Sequence, residues 1–268
     1  KLPWTWVTST ACIAVFSVGA YYGVEYIRGG ELQAKMVSVV DAVEGGDCWA
    51  TRYMGIFAPH SDDYRLTNTD ESQWWAGLAP EAGDEIYSSD RTERIGSRSI
   101  YCRQQIDGGS QPYSLPINIW SMQSLICQSR LPKAPLSATV VRRSGSRNWE
   151  ITVTNHASQA ISNCSVQVDG QWAVDCGSIP AGQTKVITEQ SRRLQDSGFS
   201  ASHLLKSATE SLGTSQRTAA INGYMEKGAA VVYAVYDNAP APVGIEGENC
   251  RFQHSELVRL VVFPKDEE

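Results

Sequence analysis

The sequence predicts a mainly β protein with some α: one N-terminal transmembrane helix, then β-sandwich extracytoplasmic domains, then a short C-terminal helical pair with further strands. Three observations predict it. Residues 2–24 contain no charged side chain, which fits a membrane span. From position 32 to 189, short alternating runs rich in β-branched residues are separated by polar turns, the pattern of a sandwich. From position 201 the apolar residues recur at helical spacing before alternation returns. The chain has 268 residues, 19% charged and 42% hydrophobic, with a net charge of −6. That composition suits a folded chain and argues against a nucleic-acid binder, which usually carries a basic face.

As a helix, the uncharged run would span roughly 35 Å, against a hydrocarbon core of about 30 Å. Trp4 and Trp6 stand at one end and Tyr21, Tyr22 and Tyr26 at the other, as interfacial aromatic belts do. Glu25 and Arg28 close the run. Thr10 and Ser17 would sit poorly against lipid, and Gly19 with Gly23 makes a GxxxG pair, so these four are the candidate contacts for packing against other membrane helices. The alternative is a lone anchor whose hydroxyls bond to their own helix. Residues 1–28 thus form the expected span. Outside it lie Cys48, Cys102, Cys127, Cys164, Cys176 and Cys250, with no CxxC pair. An even, dispersed set suits an oxidising compartment and places the bulk of the chain outside the cytoplasm. Buried free thiols are the competing explanation.

Residues 29–134 form the next expected domain. Positions 32–43 and 48–57 read as strands about the turn Glu44-Gly45-Gly46-Asp47. Residues 60–97 are polar, acidic and without period, a long loop with Trp74 and Trp75 in its middle. Long structureless loops tend to be functional, so the two rings are the candidate partner-docking residues, with folding back onto the sheet as the alternative. Strands follow around Tyr101 and across Ile117 to Trp120.

Residues 135–190, after a linker over 128–135 that holds Pro132 and Pro135, read as an immunoglobulin-like β-sandwich module. Its clearest hairpin joins Cys164–Val168 to Gln171–Val174 through Asp169-Gly170, a type I′ signal. Counting back from that turn sets Cys164 opposite Asp175, one residue from Cys176, and a small bulge would let those two cysteines form a disulfide. Residues 191–268 complete the chain. One helix is expected over 201–212, and a second runs from a Ser215 cap to Gly228. Positions 229–237 are apolar on both faces, as in a central strand covered on both sides. A last strand covers 257–263.

The run WEITVTNHASQAISNCSVQVDGQWAVDCGSIPAGQT resembles the immunoglobulin-like modules of bacterial extracytoplasmic membrane proteins. The segments RGGELQ, SVVD and GIFAPHSDDYRL, set after a helix, are similar to uncharacterised single-pass membrane proteins of bacterial envelopes. The resemblance covers most of the chain and rests on structural motifs. It implies binding or scaffolding, location in the bacterial inner membrane with a periplasmic bulk, and no transferable active-site residue.

No GxSxG, HExxH, Walker or GxGxxG pattern is present. The four histidines, His60, His156, His203 and His254, are dispersed. His60-Ser61-Asp62-Asp63 offers oxygens but lacks the EF-hand pattern. No catalytic residue, metal or cofactor is therefore expected. The leading expectation is a non-catalytic accessory subunit of a bacterial membrane complex, partnered by membrane subunits and the lipid bilayer and stabilising neighbours in an energy-transducing, photosynthetic or transport assembly. The alternative is a ligand-binding module for carbohydrate or protein, and a weaker one is a hydrolase with a site built from separated residues.

Overall fold

The structure, a computed structural model, describes residues 10, 12–19, 22, 30–69, 72–77, 101–104, 109–143, 148–168, 172–193, 215–247 and 249–266. The architecture is mostly β. Strand β1 (Leu32–Val43) alternates so that Leu32, Ala34 and Met36 are buried while Gln33 and Lys35 are exposed. It turns at 44–47, where Gly46 N–H donates to Val43 O at 2.9 Å and Gly45 takes φ +70°, and returns as β2 (Cys48–Ala58). The region expected as one long loop contains β3 (Asp62–Tyr64), β4 (Leu66–Thr67) and β5 (Trp74–Gly77). These are too short to show a local period and are fixed by pairing with distant strands. Next come β6 (Tyr101–Gln104), β7 (Ser110–Ile117) and β8 (Ser121–Leu131).

The following strands are β9 (Leu136–Arg142), β10 (Asn148–Asn155), β11 (Ile161–Val168), β12 (Trp172–Ile179), β13 (Thr184–Gln190) and β14 (Arg192–Arg193). Helix α1 (Ser215–Glu226), β15 (Ala230–Tyr236), β16 (Gly244–Ile245), β17 (Cys250–Val262) and β18 (Lys265–Asp266) end the order. A 12-stranded sheet runs β14-β12-β11-β15-β17-β1-β2-β8-β5-β7-β3, with β6 on β7. At its centre β1 pairs with β17 in parallel, from Leu32↔Cys250 to Val43↔Val261. A second sheet, β13-β10-β9-β18, packs on it.

The two largest apolar cores among the described residues lie on one face of the long sheet, here termed inner. At one end Leu136, Val140, Trp149, Ile151 and Val153 of the second sheet meet Val40, Ala50, Val166, Val174 and Val232. At the other, Met36, Met54, Trp75 and Leu125 pack with Tyr64, Leu115, Ile117 and Val243. The outer face is covered beside β15 and β17 by α1, whose Ile221 joins Val231 and Val261. The helix ends where Gly228 takes φ +87°. Gly228 N–H donates to Met225 O at 2.9 Å and Ala229 N–H to Tyr224 O at 3.1 Å, the Schellman pattern that only a left-handed residue closes. Arg259 pins helix to sheet: Nε and Nη2 grip Asp41 at 2.6 and 2.9 Å, and Nη1 donates to Thr218 Oγ1 at 3.0 Å.

The transmembrane expectation is corrected. No helix among the described residues is long and apolar enough to cross a membrane. The physical reason for the misreading is that uncharged is not the same as apolar: the run holds Thr5, Thr8, Ser9, Thr10 and Ser17, each expensive in hydrocarbon. The single-pass description, the inner-membrane and periplasmic placement, and the role as a membrane subunit fall with it. The helix expected over 201–212 and the Asp169-Gly170 turn lie outside the described residues.

Candidate functional site

Register dictates which chemistry-bearing side chains meet. Across the inner face one lateral row reads Tyr236, Glu256, Ser38, Arg52, Cys127, Trp75, from β15 to β5. It forms a polar seam between the two apolar cores. His254, two residues before Glu256 and so on the same face, joins it. His254 Nδ1 lies 2.9 Å from Pro240 O. A carbonyl can only accept, so Nδ1 carries the proton and Nε2 accepts from Ser38 Oγ at 2.7 Å. Arg52 Nη1 donates to Ser129 Oγ at 2.6 Å, while its Nε makes no hydrogen bond among the described residues.

The electrostatics follow from burial. Burial pushes the His254 pKa down and the Arg52 charge adds to this, against the opposing hydrogen bond to Pro240. Burial raises Glu256, with Arg52 pulling it back. Burial likewise pushes the Cys127 thiol up to about 11 despite Arg52. A serine hydrogen-bonded to a neutral imidazole is half of a nucleophilic dyad. Ser38, however, is 0% exposed, so in this conformation no substrate reaches its hydroxyl.

The seam gives a pH prediction. A histidine with a lowered folded pKa binds fewer protons folded than unfolded, between that value and the ordinary value of about 6.5. Stability therefore falls as pH drops below about 6.5. Glu256, raised in the fold, has the opposite slope in the carboxylate range. Urea midpoints of the wild type are expected to fall more than those of His254→Gln between about pH 7.5 and about pH 5.5. Parallel slopes would contradict this assignment.

The outer face carries the accessible chemistry. Alternation along β8 sends Leu125 and Cys127 inward and Met122, Ile126 and Gln128 outward. Phe57 faces Met122, Ala76 faces Ile126 and Trp74 faces Gln128. The resulting strip from Met122 to Gln128 is about 20 Å long. Met122 is 67% exposed, Trp120 51% and Trp74 47%. Gly55 opens space for the Met122 side chain, whose Sδ would lie 3.4 Å from a Cβ there. Trp120 stacks at a tilt on Phe57, ring centroids 5.9 Å apart. Its backbone takes φ 58°, a rare conformation for a bulky residue. Trp120 N–H donates to Ala58 O at 2.9 Å, Ser121 N–H to Asn118 O at 3.1 Å, and Ile119 N–H to Ser61 Oγ at 2.8 Å. These bonds hold the turn that presents the ring.

The structure separates Trp74 from Trp75. Trp75 points inward at 2% exposure and its Nε1 donates to Gln73 Oε1 at 2.9 Å. Thr10, Ser17 and Gly19 fall in helical residues that are exposed, and Gly23 lies outside the described residues. Cys164 and Cys176 are both buried in the sandwich core as free thiols. The expected register is corrected: Ser165 faces Asp175, and Cys164 faces Gly177 across a bulge. Trp120, Ile119 and Met122 were not expected at the site, because Ile117–Trp120 reads as strand. The available signal was Asn118 between two apolar runs, a turn former.

A family profile described as a domain of unknown function, DUF8725, matches residues 138–264. No curated protein matches the chain. Among solved structures, the chain is similar to the yeast delta-COP-I mu-homology domain at 8% identity and TM-score 0.43, over 89% of this chain and 98% of that one. It is similar also to that domain complexed with a Dsl1 WxWxV peptide, at 9% identity and TM-score 0.40, over 88% and 97%. A third is the Fcho1 mu homology domain of Danio rerio with bound Eps15 peptide, at 10% identity and TM-score 0.44, over 88% and 97%. At these TM-scores the likenesses assign neither topology nor partner to this chain.

Proposed function

We propose that the chain is a non-enzymatic protein-binding module whose contact surface is the outer-face strip from Trp120 and Met122 to Trp74. Its occupant is the apolar side chains of a partner protein. The observation that carries the reading is Trp120, a half-exposed aromatic held in a left-handed backbone conformation. Such strain costs of order 1–3 kcal/mol and collects at functional positions. Tryptophan and methionine are enriched at protein interfaces. The strip lies along a sheet face, whereas small-molecule sites are concave. Burial of Ser38 and His254 supports the non-enzymatic part.

Substituting Met122→Asp sets a charge in the middle of the strip. Immobilised wild-type chain is expected to retain a protein partner from an extract of its source. The variant is expected to lose at least about tenfold in retention, with an unfolding midpoint shifted by no more than an exposed substitution shifts it, about 0.5 kcal/mol. Equal retention by both chains would overturn the proposal.

A further inference from the structure

We propose that Cys164 and Cys176 form an intramolecular disulfide, made by exchange with a small-molecule disulfide such as oxidised glutathione. Pairing of β11 with β12 is regular from Val168↔Trp172 to Ser165↔Asp175, then shifts so that Cys164 faces Gly177. Cys176 is the extra residue, so Cys176 and Gly177 together oppose Cys164, as two residues oppose one in a bulge. Gly177 takes φ +62°, which a side chain would strain. The kink is held on both sides: Gly177 N–H donates to Asp175 Oδ1 at 2.8 Å, and Lys185 Nζ donates to Cys176 O at 2.7 Å. Both cysteine side chains enter one core, at 0% and 2% exposure, beside Val166, Val174 and Ile179. The Cys176 thiol is near enough to help push the Cys164 thiol pKa up. The direct partner of Cys164 is Gly177, its Cα about 4.5–5.5 Å away, and the bulge sets Cys176 beside that partner, in the neighbourhood where a disulfide's roughly 4.4–6.8 Å Cα span can be met.

The chemistry balances without a metal. One cysteine loses its proton to water, and its thiolate attacks the glutathione disulfide and expels one glutathione thiolate. The second cysteine, likewise deprotonated, attacks the mixed disulfide and expels the other. Two protein thiols are oxidised to one disulfide, and one glutathione disulfide is reduced to two thiols. The neighbouring Cys176 thiol and burial hold the Cys164 thiol well above its ordinary value, so the closed hairpin reacts slowly. Exchange belongs to the state in which β12 has peeled from β11, or to folding itself.

The test uses the full chain, refolded from denaturant in a buffer of oxidised and reduced glutathione, alkylated, digested without reduction and mapped by mass spectrometry. The expected result is a peptide pair joined through Cys164 and Cys176 in most molecules, and its absence from Cys176→Ala, where Cys164 carries the alkyl label. Recovery of Cys164 and Cys176 as separately alkylated thiols, or joined to other cysteines, would overturn the proposal. If refolding fails, the folded chain held with oxidised glutathione in sub-denaturing urea gives the same two readouts.

Discussion

Replacing Arg259 with methionine is expected to lower the unfolding free energy by about 3–5 kcal/mol, because it removes the cation that offsets burial of the Asp41 carboxylate. The side chains are 5% and 15% exposed, so water compensates little. The pair is bidentate, and the same guanidinium bonds Thr218 on α1. Three separate pieces of chain, β1, β17 and the helix, therefore lose a common tie. Replacing both partners, as Asp41→Leu with Arg259→Met, is expected to recover most of the loss, since a buried ion pair and an apolar pair of similar volume are often close in stability. Urea unfolding of the three chains measures this. A single variant within about 0.5 kcal/mol of the wild type would mean the pair is effectively solvated.

Trp75→Ala is expected to cost about 3–5 kcal/mol, while Trp74→Ala costs no more than about 0.5 kcal/mol. The residues are adjacent and chemically identical. Only the period of two differs: Trp75 lies in the core with Met54 and Leu125, and Trp74 lies on the opposite face, 47% exposed. Trp75→Ala leaves a large cavity and also removes the donor that Gln73, itself 8% exposed, accepts from. Urea midpoints of the two variants give the comparison. Equal losses would contradict the placement of β5.

Local patterns were legible and distant meetings were not. The β1–β2 hairpin could be read because Glu44-Gly45-Gly46-Asp47 interrupts two β-rich runs. The α1 stop could be read because Gly228 follows the last apolar position, and β15 because apolar residues on both faces need cover on both sides. By contrast, Ser38 and His254 are 216 positions apart, and no local spacing announces their contact. The parallel pairing of β1 with β17 was hidden for the same reason. Trp74 and Trp75 read as a pair in sequence, although strand alternation alone sends neighbours to opposite faces. The hairpin register was off by one at Ser165 and, past the bulge, by two at Cys164, and in a period-two structure register decides which side chains meet. The N-terminal run reads as a span because it lacks charge, while its hydroxyl residues lower its apolarity.

The central claim, that the outer strip of β5, β8 and the Trp120 turn receives a partner protein, is tested most directly by site-specific photo-crosslinking. A photoreactive residue is placed in turn at Trp74, Trp120 and Met122, with Glu189, exposed near the end of β13, as control. The chains are illuminated in an extract of the source. The account predicts that one protein adduct appears from all three strip positions, is absent from position 189, and is suppressed by excess unlabelled wild type but not by Met122→Asp. Adducts of equal yield from position 189, or none from the strip while position 189 reacts, would contradict it.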